Sequence, residues 1–185
     1  ENRVTVKNLT KMMQRFRKHA KGGVQSKNNE VEGHVVSKDN QPIELGILSY
    51  ANLTPDGKHG DFASALKQSQ TSGKPIFANF VEWPGCAGVV DAGKYIFAEP
   101  SIARLIQTHF VPVAFNTWDR NDCGYNQAMK AWGGPLARSD WGYVRIIATD
   151  GRTILASTPA VTGRNSKPQV QAAIREALQK FAEHD

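Results

Sequence analysis

Cysteine is scarce in this chain: among 185 residues there are two, Cys86 and Cys123. Two thiols are too few for a disulfide scaffold or a structural zinc site. The five histidines (His19, His34, His59, His109, His184) are scattered and lack metal-ligand spacing, so no metal centre is expected. Long apolar runs are missing as well. No stretch approaches the roughly 20 residues that a transmembrane helix needs, so no membrane span is expected. Internal repeats and low-complexity tracts are also lacking.

Charge of one sign is short at the start of the chain. Net charge is +6, and much of the excess lies before residue 30. There, Arg3, Lys7, Lys11, Arg15, Arg17, Lys18, Lys21 and Lys27 face only Glu1 and Glu30. A basic end can attract nucleic acid or anionic lipid. Phe16 is the one aromatic interleaved with these cations, so a stacking platform for single strands is not supported. The cations read as a solvated helix face, and no nucleic-acid partner is expected. The chain starts at Glu1 without a methionine or a charged-then-apolar leader. It reads as a mature or trimmed product, with export one explanation and engineered trimming the other.

What is present falls into a rhythm. Residues 8–20 predict a helix, with Met12, Met13 and Phe16 on its apolar side and Gly22-Gly23 at its end. Residues 24–30 read as a linker. Residues 31–50 predict a β-hairpin, with strands at 31–36 and 43–48 and a turn at Lys38-Asp39-Asn40. These elements form an N-terminal extension, 1–60, ahead of a main domain, 61–185.

In the main domain, residues 61–72 predict a helix capped by Asp61 and stopped by Gly73. Lys74-Pro75 opens a strand over 76–81. Helices follow at 86–97 and from Pro100, where Ile102, Leu105, Ile106 and Phe110 keep helical spacing. Residues 110–116 predict a second strand, and 125–132 a short helix. Strands at 143–148 and 153–157 flank Asp150-Gly151, a strong hairpin signal. A final helix spans 168–183. The order α-β-α-β-α-β-β-α implies an α/β fold. A right-handed crossover joins two parallel strands, and a hairpin and closing helix complete a small mixed sheet with helices on both faces.

Three segments carry a family resemblance: Gly73-Lys74-Pro75-Ile76-Phe77-Ala78-Asn79-Phe80 with Glu82-Trp83 and Cys86; Glu99 to Ile106 with Phe110-Val111-Pro112-Val113; and Val144 to Arg152. From about Asp61 onward the chain resembles the thioredoxin-like superfamily, which implies a three-layer α/β/α domain with a mixed central sheet. Trp83-Pro84-Gly85-Cys86 looks like the Val-Pro-Gly-Cys or Val-Pro-Gly-selenocysteine motif of a bacterial thioredoxin-like (seleno)protein group. That resemblance puts Cys86 where relatives carry selenium or the first redox sulfur. The chain departs from the pattern twice. Val89 stands where a dithiol enzyme carries its second cysteine, and Tyr143 stands where thioredoxins carry a cis-proline facing the active site.

Cys86 is the candidate nucleophile. Pro84 and Gly85 let the chain turn sharply before it, and Trp83 covers one side. A helix start favours negative charge on such a sulfur. Cys123 is the candidate resolving thiol, because parallel strands end on one edge of the sheet. The 76–81 strand delivers Cys86 there, and the 110–116 strand delivers the loop holding Trp118, Asp119, Arg120, Asp122 and Cys123. Glu82, Asp119 and Asp122 are candidate proton acceptors. Trp83, Pro84, Gly85, Trp118 and Tyr143 are candidate substrate-binding residues, and Tyr125, Trp132 and Trp141 either extend the same aromatic edge or, Trp132 above all, pack the loops against the core.

Three functional readings stand open. The first is a thiol–disulfide oxidoreductase or thiol peroxidase-like enzyme of the bacterial envelope, periplasmic or secreted, needing no organic cofactor. Its partner would be a protein or peptide thiol or disulfide. The second is a redox-inactive binding module for a peptide or protein. The third is capture of a soft metal such as Cu(I) by two thiolates.

Overall fold

The protein is described by a computed structural model, which defines residues 41–53, 62–117, 124–133 and 142–184. The expected helix over 8–20, the linker, and the first strand and turn of the hairpin lie outside the described residues. Helix α1 spans Phe62–Ser72 and is followed by Gly73 at φ 66°, a left-handed turn that ends it. Strand β1 is Ile76–Val81. Helix α2, Ala87–Ala92, runs on as a π-helical turn over Gly93–Phe97. Helix α3 is Pro100–His109, with Pro100 in its first turn, where a missing N–H costs no bond. Strand β2 is Val111–Asn116. Helix α4, Tyr125–Ala128, again continues as a π turn, Met129–Gly133. Strands β3, Gly142–Ile147, and β4, Ile154–Ser157, form the hairpin. Helix α5 spans Lys167–His184.

The sheet order is β2-β1-β3-β4. β1 and β2 run parallel, Ile76 opposite Val111 through Val81 opposite Asn116. β3 lies antiparallel to both β1 and β4. The mixed sheet, the parallel crossover and the hairpin are as the sequence implies. At the hairpin turn Gly151 sits at φ 69°, and the Asp150 carboxylate accepts from the N–H groups of Arg152 and Thr153.

Both faces of the sheet are covered, so β1, β2 and β3 are buried at every position. Phe77 and Val81 of β1 enter a core built with α2, α3 and α5, including Val89, Ile96, Ile106, Val170 and Ile174. Ile76, Ala78 and Phe80 enter a second core, with Ala65 of α1, Val113 and Phe115 of β2, and Tyr125, Ala128 and Trp132 from the α4 region. The period-two alternation of a strand sends neighbouring residues to opposite cores.

The second strand of the expected N-terminal hairpin is not formed. Residues 43–48 do not form a strand: Ile43–Leu45 is a 3-10 turn closed by Gly46 at φ 62°. Leu45, Leu48 and Tyr50 are buried in the first core. Phe77 and Val81 of β1 and Val144 and Ile146 of β3 belong to that same core, so it includes residues before 61. The segment runs as a strap to the outer side of β2. The Ala51 N–H donates to the Pro112 carbonyl at 2.8 Å. The Asn52 amide donates to the Ala114 carbonyl at 2.7 Å and accepts from its N–H at 2.9 Å. Bare strand edges invite pairing with other chains, and here one amide side chain stands in for a neighbouring strand. Pro112, which lacks an N–H, is tolerated because its nitrogen faces this outer side.

Candidate functional site

The turn between β1 and α2 builds the site. Val81 ends β1, the Trp83–Pro84 peptide bond is cis, and Cys86 is the N-cap residue of α2. Cys86 adopts φ −68° and ψ 167°, the extended geometry of an N-cap. Its carbonyl accepts from the N–H groups of Val89 and Val90, both at 3.0 Å. Its side chain makes no capping hydrogen bond and carries a free, exposed thiol. The expected placement of a cysteine at the start of a helix directly after β1 is therefore present.

Neighbouring elements hold this turn from three sides. Asn116, at the end of β2, makes a reciprocal pair with Trp83. Its amide nitrogen donates to the Trp83 carbonyl at 2.7 Å, and its amide oxygen accepts from the Trp83 N–H at 3.3 Å. Glu44, in the strap, accepts from the Gly85 N–H at 2.8 Å. On the third side, the Gly163 N–H donates to the Gly88 carbonyl at 2.6 Å. Gly85 is needed for steric reasons: a Cβ there would lie 2.6 Å from the Glu82 carbonyl oxygen and 3.0 Å from Val89. Pro84 is exposed, Gly85 half-buried, and Trp83 is largely covered by the first core.

Glu44 and Asn116 were absent from the sequence-derived site. Each reaches the turn from far along the chain, Asn116 from 33 positions away and Glu44 from 41, and no local pattern marks such contacts. A polar residue ending an apolar strand was the one available signal for Asn116.

Val89, at the position of a second motif cysteine, is fully buried in the first core. Tyr143 is also a core residue, 4 % exposed. Its ring stacks on Phe80 at 4.6 Å and an interplanar angle of 10°, and its hydroxyl donates to the Met129 sulfur. The expected role for Tyr143 in lining a substrate groove does not fit that burial, and Tyr125 and Trp132 lie in the same core. Cys123, Trp118, Asp119, Arg120, Asp122 and Trp141 lie outside the described residues. β2 ends beside β1, with Val81 opposite Asn116 and the Thr117 N–H donating to the Val81 carbonyl.

A shallow cavity of about 200 Å³ lies elsewhere, lined by Ser49, Gln68, Ser72, Lys74, Gln107 and Phe110. It borders the residues that precede β1 and the start of β2, the opposite end of the strands from Cys86. Among the described residues no cluster of three or more His, Cys, Asp or Glu side chains is arranged to hold a metal. Nor is any described helix long and apolar enough to cross a membrane.

A parallel β1–β2 crossover, an antiparallel β3–β4 hairpin, helices on both faces and a cysteine at the β1–α2 turn together define the architecture. The fold is thioredoxin-like. Comparison with known proteins finds no matching family model and no matching curated protein. Among solved structures, the chain is similar to the DsbH oxidoreductase, at 16% identity and a TM-score of 0.49, over 86% of this chain and 98% of that one. It is also similar to a disulphide isomerase from Xylella fastidiosa Temecula1, at 20% identity and a TM-score of 0.40, over 65% of this chain and 86% of that one.

Proposed function

We propose that the chain is a thiol–disulfide oxidoreductase in which Cys86 is the nucleophile. The observation that carries this reading is the exposed, free Cys86 thiol at the N-cap of α2. The thiolate of Cys86 attacks one sulfur of a partner disulfide. A mixed disulfide forms and the partner's other sulfur leaves as thiolate. A second thiol then attacks the Cys86 sulfur, restoring the partner as a dithiol and leaving a disulfide on this chain. Cys123 is the proposed resolving thiol, since the loop that holds it departs from the strand end next to the Cys86 turn. With a peroxide in place of a disulfide, the same attack breaks the O–O bond, the far oxygen leaves as water or an alcohol, and Cys86 becomes a sulfenic acid, which Cys123 condenses to a disulfide with release of water.

The partner is a protein or peptide disulfide. Pro84, exposed, and Gly85, half-buried, are the proposed wall on the N-terminal side of the sulfur, with Trp83 packed beneath them, and Trp118 is the proposed opposite wall. Such chemistry suits an oxidising compartment such as the bacterial envelope. The likeness of Trp83-Pro84-Gly85-Cys86 to the Val-Pro-Gly-Cys group supports Cys86 as the first redox sulfur.

A second reading, a redox-inactive module that binds peptide, draws support from Val89, whose buried side chain replaces the thiol of a dithiol motif. Turnover separates the two. The wild-type chain is expected to accelerate reduction of a protein disulfide such as insulin by dithiothreitol, and Cys86→Ser to abolish the acceleration. Equal activity in wild type and Cys86→Ser would end the enzyme reading. Mass measurement after alkylation tests the resolving role. Air-oxidised protein should take up no label before reduction and label on both cysteines after it. Two labels without reduction would remove Cys123 from the mechanism.

A further inference from the structure

We infer that Glu44 is a positioning residue for the Cys86 thiol. The inference rests on Cys86 being the reactive thiol, and the observations that carry it lie outside the motif. Glu44 is 6 % exposed, and among the described residues no cation is paired with it. A buried carboxylate is costly unless it is hydrogen-bonded. Here the carboxylate is spent on the Gly85 N–H at 2.8 Å, one residue ahead of Cys86. Gly85 belongs to the turn that gives Cys86 its extended N-cap pose.

The carboxylate is itself held in place. The 3-10 turn carrying it is closed by the Gly46 N–H donating to the Ile43 carbonyl. The Gln41 amide donates to the carbonyls of Gly46 at 2.9 Å and Leu48 at 3.1 Å. The Tyr50 hydroxyl donates to the Leu45 carbonyl at 3.2 Å and accepts from Asn79 of β1 at 3.1 Å. Burial pushes the Tyr50 hydroxyl's pKa up, against a smaller downward effect of the Asn79 hydrogen bond, so the phenol stays protonated and able to donate. Behind the turn, Gly93 lets the strap approach the helix: a Cβ there would lie 2.1 Å from the Ile43 carbonyl oxygen. A turn held by a fixed acceptor, which is in turn fixed by buried bonds, sets the backbone from which the next side chain projects.

The test is the rate at which iodoacetamide labels Cys86 in the reduced, folded full-length chain, followed on the Cys86 peptide by mass spectrometry. Glu44→Ala removes the acceptor, and Glu44→Asp keeps the charge but draws the acceptor back by one methylene. Both are expected to slow labelling, on the order of fivefold to tenfold, because the exposed pose of the sulfur is no longer held. Glu44→Gln keeps an acceptor for the Gly85 N–H, and is expected to stay within about twofold of wild type. Glu44→Ala and Glu44→Asp labelling at the wild-type rate, with only a lower melting temperature, would show that Glu44 merely braces the fold. Glu44→Gln slowed as much as Glu44→Asp would also overturn the inference, since the hydrogen bond would then not be what matters. Should Glu44→Ala fail to fold, the Asp and Gln pair still decides. Labelling does not depend on turnover. Absent disulfide reductase activity with slowed labelling in Glu44→Asp would remove the proposed function and leave this inference standing.

Discussion

His109 illustrates how one residue's surroundings set a measurable property. It ends α3, half-buried, with the Lys74 ammonium nearby. Desolvation, and then the Lys74 charge, hold its imidazole below the ordinary histidine value of 6.5. The sign follows from linkage. Between the folded value and 6.5 the unfolded chain binds the proton more readily than the folded one, so acid favours unfolding there. Stability tied to His109 is therefore full above 6.5 and is lost as pH falls through that window. His109→Gln removes the titration. Its melting temperature is expected to change less than that of wild type between about pH 7.5 and about pH 5. An unchanged slope in the variant would mean that other groups carry the acid dependence. Single residues also mark the limits of sequence reading. Cys86 could be found because it follows an apolar run and a Pro-Gly turn. Tyr143 reads as a groove residue from its place ahead of the hairpin, but β3 is buried on both faces, so sequence gives no sign that its ring is covered. Glu44 left no trace, since its contact joins parts of the chain 41 positions apart.

Among the elements, the strap over 41–53 departs most from expectation. Ile43-Glu44-Leu45-Gly46-Ile47-Leu48 reads as a strand because short apolar runs carry no decisive period. Its two leucines are in fact buried in the first core, with no strand alternation. Ile43 stays 49 % exposed while Leu45 is fully buried, and the left-handed Gly46 turns the chain out of any strand path. β1, in contrast, was legible to the residue: Gly73 ends α1, Pro75 precedes the strand, and an unbroken apolar run fits burial on both faces. The π turns after α2 and α4 have no sequence signature; the first falls inside a segment read as plain helix, and the second runs one residue past one. The contact between strap and helix is tight backbone against backbone. A methyl at Gly93 would meet the Ile43 carbonyl oxygen at 2.1 Å and the Glu44 Cα at 2.7 Å, and neither atom can swing aside as a side chain would. Gly93→Ala is expected to destabilise the fold by about 1–3 kcal/mol, the usual cost of overpacking, read as a lower urea midpoint. A midpoint equal to wild type would mean that the strap can lift away without loss.

At the scale of the whole molecule, the sheet is a shared wall between two cores, one on each face. β3 shows this in two consecutive residues. Ile146 and Ile147 are both fully buried, yet Ile146 enters the core of α2, α3 and α5, and Ile147 the core of α1 and α4. If each core were a separate cooperative unit, loss of packing in one would leave the other in place. The strand alternation argues against that, because no core can loosen without freeing the backbone that the other is built on. Ile146→Val and Ile147→Val each remove one methylene and are expected to cost about 0.5–1.5 kcal/mol. Both should lower the midpoint of one common urea transition, with near-ultraviolet and far-ultraviolet circular dichroism coinciding in each variant. A variant whose two signals separate would show that one face unfolds ahead of the other. In that case the layer carrying α2, and with it the Cys86 turn, would have a stability of its own.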